Sequence, residues 1–176
     1  MNYPEFEAYY DQYKHKIYSY LYYRSGRNKE LAEDLTSEVF MKALEKFESY
    51  KPDSSFQSWV YAIAHNHLVD HFRKDKGAKV DLDEVENILE SDGDARSSLM
   101  KRVASEEVQE LLSYLSDEER EIVLLRYQQE LPMQDIADIV GMPDSTVRVV
   151  IHRALAKLRK RYAVIYASFF FVTFLF

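Results

Sequence analysis

Helical periodicity runs through most of this 176-residue chain. Only four glycines and four prolines interrupt it, so there are few places for anything but helices to begin or end. From about Glu5 to Tyr23 the apolar residues Phe6, Tyr9, Tyr10, Tyr13, Ile17, Tyr20 and Leu21 recur mostly at three- and four-residue steps. The segment RSGRN, 24–28, ends that run. A second helix is expected after Asn28, with Leu31, Leu35, Val39, Ala43, Leu44 and Phe47 on one face and acidic residues on the other. The turn SYKPDSS stops it at Lys51-Pro52, because the residue before a proline is pushed out of the α region. Ser54 or Ser55 can then cap a third helix, about Phe56 to Lys74.

The pattern lapses over 76–97, where an acidic run leads into SDGDARSS, and resumes near Leu99. Ser116-Asp117-Glu118-Glu119 has the form of a capping box, opening a helix that is expected to run to about Gln129. After Leu131-Pro132 a short helix carries Ile136, Ala137, Ile139 and Val140. Gly141-Met142-Pro143 makes a tight turn, and Asp144 or Ser145 is expected to cap a longer helix with Val147, Val150, Ile151, Ala154, Leu155 and Leu158 inward. The expectation is therefore an all-α chain of two small helical domains, 1–76 and 99–161, joined by an acidic linker, 77–98, and followed by a hydrophobic tail, 162–176.

A formal charge of −7 looks unfavourable for a nucleic-acid binder, but the charge is unevenly spread. Residues 81–103 hold seven acids against three bases, whereas 145–162 hold six bases and no acid. A phosphate backbone responds to the local patch, since distant charges are screened over about 8 Å at physiological salt. There is no cysteine, so disulfides and thiolate metal sites are excluded, and a reducing cytoplasm is the economical compartment. The acidic, aromatic N-terminus does not read as a secretory signal.

A short amphipathic helix, a glycine-containing turn and a longer helix that is apolar inside and basic outside form a helix-turn-helix signature. Its outward positions include Arg148, Val149, His152, Arg153 and Ala156. Arginine can pair bidentately with guanine or hold a phosphate, and an exposed valine suits a thymine methyl. An ordinary helical hairpin with a solvated basic face is the plainer alternative.

The stretch AHNHLVDH, 64–71, raises a metal question, because His67 and His71 share a helix face beside Asp70. Two ligands do not close a zinc site, and the His-Asn-His triplet lacks the hairpin scaffold of a nuclease, so no metal and no catalytic residue is expected. The core stripe of that helix is Phe56, Val60, Ile63, Ala64 and Leu68, with His65, Asn66 and Asp70 expected to be wetted. Asn66, Asp70, Arg73 and Lys74 gather beside Trp59 and Tyr61, a mixture of cations, amides and aromatic faces that suits single-stranded DNA.

Three blocks, AEDLTSEVFMKALEKFESY, SFQSWVYAIAHNHLVDHFRK and LSDEEREIVLLRYQQELPMQDIADIVGMPDSTVRVVIHRALAKLRK, resemble in that order regions 2 and 4 of the extracytoplasmic-function sigma factors. The resemblance covers roughly residues 5–161. It implies a promoter-specificity subunit with no cofactor, whose partners are core RNA polymerase and promoter DNA. By the same resemblance Asp34 and Glu38 face polymerase, and Tyr50, Trp59, Asn66, Arg73 and Lys74 meet the −10 element. Asn66 matches an asparagine that holds a flipped base, Tyr50 matches an aromatic of the same pocket, and Trp59 falls at a tryptophan with a more structural role. Ser145, Arg148, Val149, His152, Arg153 and Lys157 would face the −35 element. Val149 departs from the small polar residue common in relatives, and His65, His67 and His152 occupy variable positions.

The resemblance leaves open an anti-sigma factor acting on the two domains. It does not reach the uncharged tail YAVIYASFFFVTFLF, which follows a basic flank. As a helix the tail would span about 22 Å against a hydrocarbon core of about 30 Å, so membrane contact and packing against protein both stay open. The competing functional reading is a helix-turn-helix regulator that acts without polymerase.

Overall fold

The computed structural model describes residues 3–51, 55–75, 108 and 110–174, with residues 3, 75 and 163–174 described as backbone only. The expected linker, 77–98, lies outside the described residues, as does the cap at Ser54. The first domain is a three-helix bundle of α1 (Tyr3–Arg24), α2 (Lys29–Lys46) and α3 (Phe56–Asp75), with one 3-10 turn at Phe47–Ser49. The turn after α1 places Gly26 and Arg27 in the left-handed region, both at φ 68°. Asn28 then caps α2 by accepting from the Leu31 amide at 3.0 Å. Apolar positions on all three helices converge, and Ile17, Tyr20, Leu21, Ala32, Val39, Val60, Tyr61, Ala64 and Leu68 are sealed from solvent.

The second domain contains α4 (Asp117–Val123), α5 (Met133–Val140) and α6 (Asp144–Phe174). The capping box forms: Ser116 Oγ accepts from the Glu119 amide at 3.2 Å, and the Glu119 carboxylate accepts from the Ser116 amide at 3.0 Å. The continuous helix expected to Gln129 does not form. It widens into a π-helical segment at Leu124–Gln128, with the Gln129 amide donating to the Leu124 carbonyl, and Glu130 turns left-handed at φ 58°. The widening keeps Leu124 and Leu125 in the core while turning Gln129 inward, and such bulges recur at functional positions.

Gly141 at φ 69° ends α5 in the left-handed conformation that favours glycine. Neither Asp144 nor Ser145 stands outside α6 as a cap. The helix begins at Asp144, after Pro143, whose carbonyl accepts from the Thr146 and Val147 amides. The backbone of α6 continues without a break into the tail, whose side chains lie outside the described residues. Among the described residues no helix is long and apolar enough to cross a membrane.

The two domains are packed together along a seam between α3 and α5, with α1 against α4. Glu121 from α4 is buried at its centre. Its Oε1 accepts from the Tyr20 hydroxyl at 2.5 Å and lies 2.6 Å from His65 Nδ1, while Oε2 is 3.3 Å from Arg24 Nη2. Arg24 Nη1 also donates to the Asp117 carbonyl at 2.7 Å. On the α3 side, Tyr61 donates to Gln129 Oε1, Gln57 donates to the Gln129 carbonyl at 2.6 Å, and Ser58 donates to Asp135.

Candidate nucleic-acid interface

The outer surface of α3 is organised by a seven-residue spacing. Trp59, Asn66 and Arg73 are successive steps of seven, which drift by only about 20° each around a helix and so lie near one line. Trp59 is half-buried, with its ring centroid 5.1 Å from that of Tyr50 and 5.3 Å from that of Phe56. Tyr50 stacks on Phe47 at 5.9 Å and meets Tyr9 edge-on, so the two candidate aromatics are the outer members of a rigid cluster. Burial and the neighbouring Tyr9 raise the Tyr50 phenol pKa, so its hydroxyl remains a donor at neutral pH.

Further along α3, Asn66 is exposed and its amide donates to the Ala62 carbonyl at 2.8 Å. Arg73 and Lys74 are exposed, and Arg73 is paired with Asp70 at 3.0 Å.

The histidines beside Asn66 are not surface residues of that line. His65 was expected to be wetted, yet its side chain is only 15% exposed and reaches Glu121 across the seam. His67 turns the other way, its Nε2 lying 2.6 Å from the Glu38 carboxylate on α2. The two rings therefore serve different carboxylates on different helices. Among the described residues no three metal-ligating side chains gather.

On α2, Asp34 and Glu38 are both exposed one turn apart. Met41, one further turn along, is 59% exposed and extends this face with an apolar side chain that the acid-only reading overlooked. Its position at i+7 from Asp34 was the available signal.

On α6, Ser145, Arg148, Val149, His152, Arg153 and Lys157 are all exposed and occupy a continuous outward face, with Val149 55% exposed. Val147, Val150, Ile151 and Ala154 are buried beneath them. Two of the cations are internally paired. Arg148 Nε donates to Asp144 at 2.7 Å, an i, i+4 pair that raises the guanidinium pKa still further. Lys157 Nζ donates to Glu119 at 2.7 Å, and this bond together with Ser116 holds the Glu119 carboxyl below the usual carboxylate range. Any phosphate binding at these positions competes with an existing carboxylate.

Residues 9–77 match the family model for Sigma-70 region 2, and residues 105–158 match that for Sigma-70, region 4. The chain is 33% identical to the RNA polymerase sigma factor YlaC of Bacillus subtilis over 88% of its own length and 90% of that protein's. It is 32% identical to the ECF RNA polymerase sigma factor SigW of the same organism, over 86% and 85% of the two chains. The chain belongs to the ECF RNA polymerase sigma factors. As a sigma factor it serves promoter-directed initiation of transcription, which replaces the reading of a regulator independent of polymerase. Sigma factors are in general non-catalytic.

The fold resembles that of the sigma factor RpoE from Bartonella quintana in its co-crystal with the anti-sigma factor NepR. The TM-score is 0.71 at 20% identity, over 91% of this chain and 98% of that one. CnrH in complex with the cytosolic domain of CnrY matches at a TM-score of 0.64 and 21% identity, over 93% and 90% of the two chains.

Glu121, Gln129, Ser58 and Asp135 were not singled out by the sequence reading, although they dominate the seam. The signals were a second, polar stripe on α3 at Gln57, Tyr61 and His65, and the polar Glu121 and Gln129 on either side of the apolar run IVLL.

Proposed function

We propose that the two domains divide promoter recognition by the physical state of the DNA. The first, 1–76, reads the melted −10 strand along the Trp59–Asn66–Arg73 line, and the second, 99–161, reads duplex −35 DNA with the outward face of α6. The observation that carries this reading is the contrast between the two faces. One is an amide and cations beside a rigid aromatic cluster, the requirements of an unstacked base; the other is a cationic helix exposed from a helix-turn-helix, shaped for a major groove.

Asn66 reads a base edge once its amide leaves the Ala62 carbonyl, Tyr50 and Trp59 wall the pocket, and Arg73 and Lys74 hold flanking phosphates. Arg148 and Arg153 exchange internal or solvent contacts for guanine or phosphate, and Val149 packs on a thymine methyl. Asp34, Glu38 and Met41 form the face that docks on core polymerase. No catalytic side chain of this chain enters the scheme, since strand opening is driven by binding energy. A structural neighbour co-crystallised with an anti-sigma factor supports a regulator of that kind as a further partner. For the apolar end, partition of the full chain into anionic vesicles, against a chain ending at Arg161, decides between bilayer contact and packing within protein.

Run-off transcription with core polymerase on a library of two-element promoters tests the reading. Chain-dependent transcripts are expected, reduced at least tenfold by Asn66→Ala on duplex templates and much less on templates already mismatched at −10. Equal loss on both templates overturns the assignment of Asn66 to the melted strand.

A further inference from the structure

Exposed carboxylates on these helices are commonly paired within their own helix. Asp70 takes Arg73 at i+3, and Asp144 takes Arg148 at i+4. Glu38 has Lys42 at i+4, the order of charges that a helix favours, yet among the described residues it pairs with no lysine or arginine. Its carboxylate turns across to the next helix instead, where Oε2 lies 2.6 Å from His67 Nε2.

The two partners are unequally placed. The His67 side chain is 12% exposed, whereas that of Glu38 is 50% exposed and keeps half of its surface in water. His67 Nε2 is sealed from solvent, and its contact with the carboxylate is short but off the hydrogen-bond axis. The demand of that buried nitrogen for a partner therefore falls on Glu38. The helices run antiparallel, since Phe47 meets Phe56 near the connecting turn, with centroids 6.4 Å apart, while Glu38 meets His67 further from it. His67 thus backs the α2 face from a packed neighbouring helix, where its ring is held by burial.

This matters for docking because a free glutamate samples many rotamers and loses that freedom when a partner engages it. A buried imidazole beside the carboxylate removes part of that freedom in advance. In its neutral form it acts through an N–H, which orients a carboxylate without cancelling its charge. Pairing with Lys42 would instead neutralise the charge that a cationic partner is to meet.

We propose that His67 is a positioning residue for polymerase docking: from α3 it holds the Glu38 carboxylate away from Lys42 and already oriented on the α2 face. The role rests on the docking reading above and adds to it a residue of another helix that does not itself touch polymerase. His67 is also the neighbour of Asn66, so consecutive residues of α3 serve the polymerase face and the −10 face.

Binding of the full-length chain to core polymerase without DNA tests this, and keeps Asn66 and the −35 face out of the measurement. His67→Leu keeps an apolar side chain of similar bulk between the helices and removes the nitrogen. His67→Gln keeps an N–H near the position of Nε2. The leucine variant is expected to bind polymerase roughly fivefold more weakly at unchanged helicity, and the glutamine variant to stay within about twofold of the parent. In a Glu38→Ala background, His67→Leu is expected to change nothing further, since no carboxylate is left to hold.

Parental affinity of the leucine variant overturns the proposal. A loss of the same size with and without Glu38 does so too, because His67 is then a packing residue, as does a glutamine variant no better than leucine. If Glu38→Ala alone binds polymerase like the parent, the docking reading of α2 fails, and the role of His67 with it.

Discussion

The two cores differ in kind. The first domain is built around aromatic rings: Phe6, Tyr13, Tyr20, Tyr22, Phe40, Phe47, Phe56 and Tyr61 are buried, and Tyr9 lies flat on Phe56 with centroids 4.0 Å apart. In the second domain the buried hydrophobic residues are, among the described residues, aliphatic throughout, from Leu112 and Ile122 to Val150 and Ile151. An aromatic core that reaches the surface at Tyr50 and Trp59 supplies rigid faces on which bases can stack. An aliphatic core packs a small helix pair tightly and leaves recognition to the charged outer face of one helix. The core chemistry of each domain thus matches the form of DNA proposed for it.

The largest effect should come from breaking the aromatic side. Phe56 is 4% exposed and touches the rings of Tyr9, Tyr13, Phe47, Tyr50 and Trp59. Phe56→Ala should destabilise the first domain by about 3–5 kcal/mol. Thermal unfolding followed by circular dichroism should then show an early transition, while −35 duplex binding survives below it. A single shared transition with loss of both activities would show that the cores are not separable.

On the other side, Arg148→Ala should weaken −35 binding by about 1–3 kcal/mol and relax preference at one base pair if the guanidinium reads a base. Titration against a set of single-substituted duplexes checks this. A uniform loss assigns Arg148 to phosphate alone.

Lys157 sharpens the contrast, because it belongs to the fold as much as to the surface through Glu119. The Glu119 pKa is lowered in the folded state, so its pairing contributes stability above the ordinary carboxylate value of 4.5 and loses it as pH falls through the lower folded value. Lys157→Met should therefore lower the melting temperature at pH 7 and make little difference near pH 2. An equal loss at both pH values would mean that packing of the lysine stem, not the ion pair, is what matters.

Most of the helical framework is legible in the sequence, for a local reason. Helix faces follow from spacing, the Ser116–Glu119 box from four adjacent residues, and the Gly141 turn from the need for positive φ. The seam could not be read the same way. His65 and Glu121 are 56 residues apart and Tyr20 and Glu121 101 apart, and one polar pair among many leaves no periodic trace. His65 looked wetted because a polar residue off the apolar stripe normally is; a second domain covers it instead. The π-helical segment escaped for a related reason, since its extra residue serves Gln129's contacts with Gln57 and Tyr61, far away in sequence. For the candidate DNA faces, helix position was legible while internal pairing was not: nothing local in the sequence ties Lys157 to Glu119, 38 residues away.

The smallest expected effect compares the same backbone device in both domains. Gly26 and Gly141 both adopt left-handed conformations, at φ 68° and 69°, and a Cβ on either would meet nothing within 4 Å. Alanine at either site should therefore cost only backbone strain, about 1 kcal/mol. The amide after each glycine donates five residues back, Arg27 to the Tyr22 carbonyl at 2.9 Å and Met142 to the Ala137 carbonyl at 3.0 Å, so the surroundings differ in one respect: Arg27 is itself left-handed and Met142 is not. Gly26→Ala leaves two consecutive side-chain-bearing residues in a strained region and should shift its domain's denaturant midpoint more than Gly141→Ala shifts the other. Chemical denaturation of each variant, followed by helicity and by −35 duplex binding, measures the two shifts separately. If Gly141→Ala also weakens DNA binding at saturating stability, the turn sets the angle of the reading helix and is not merely a place for the chain to reverse.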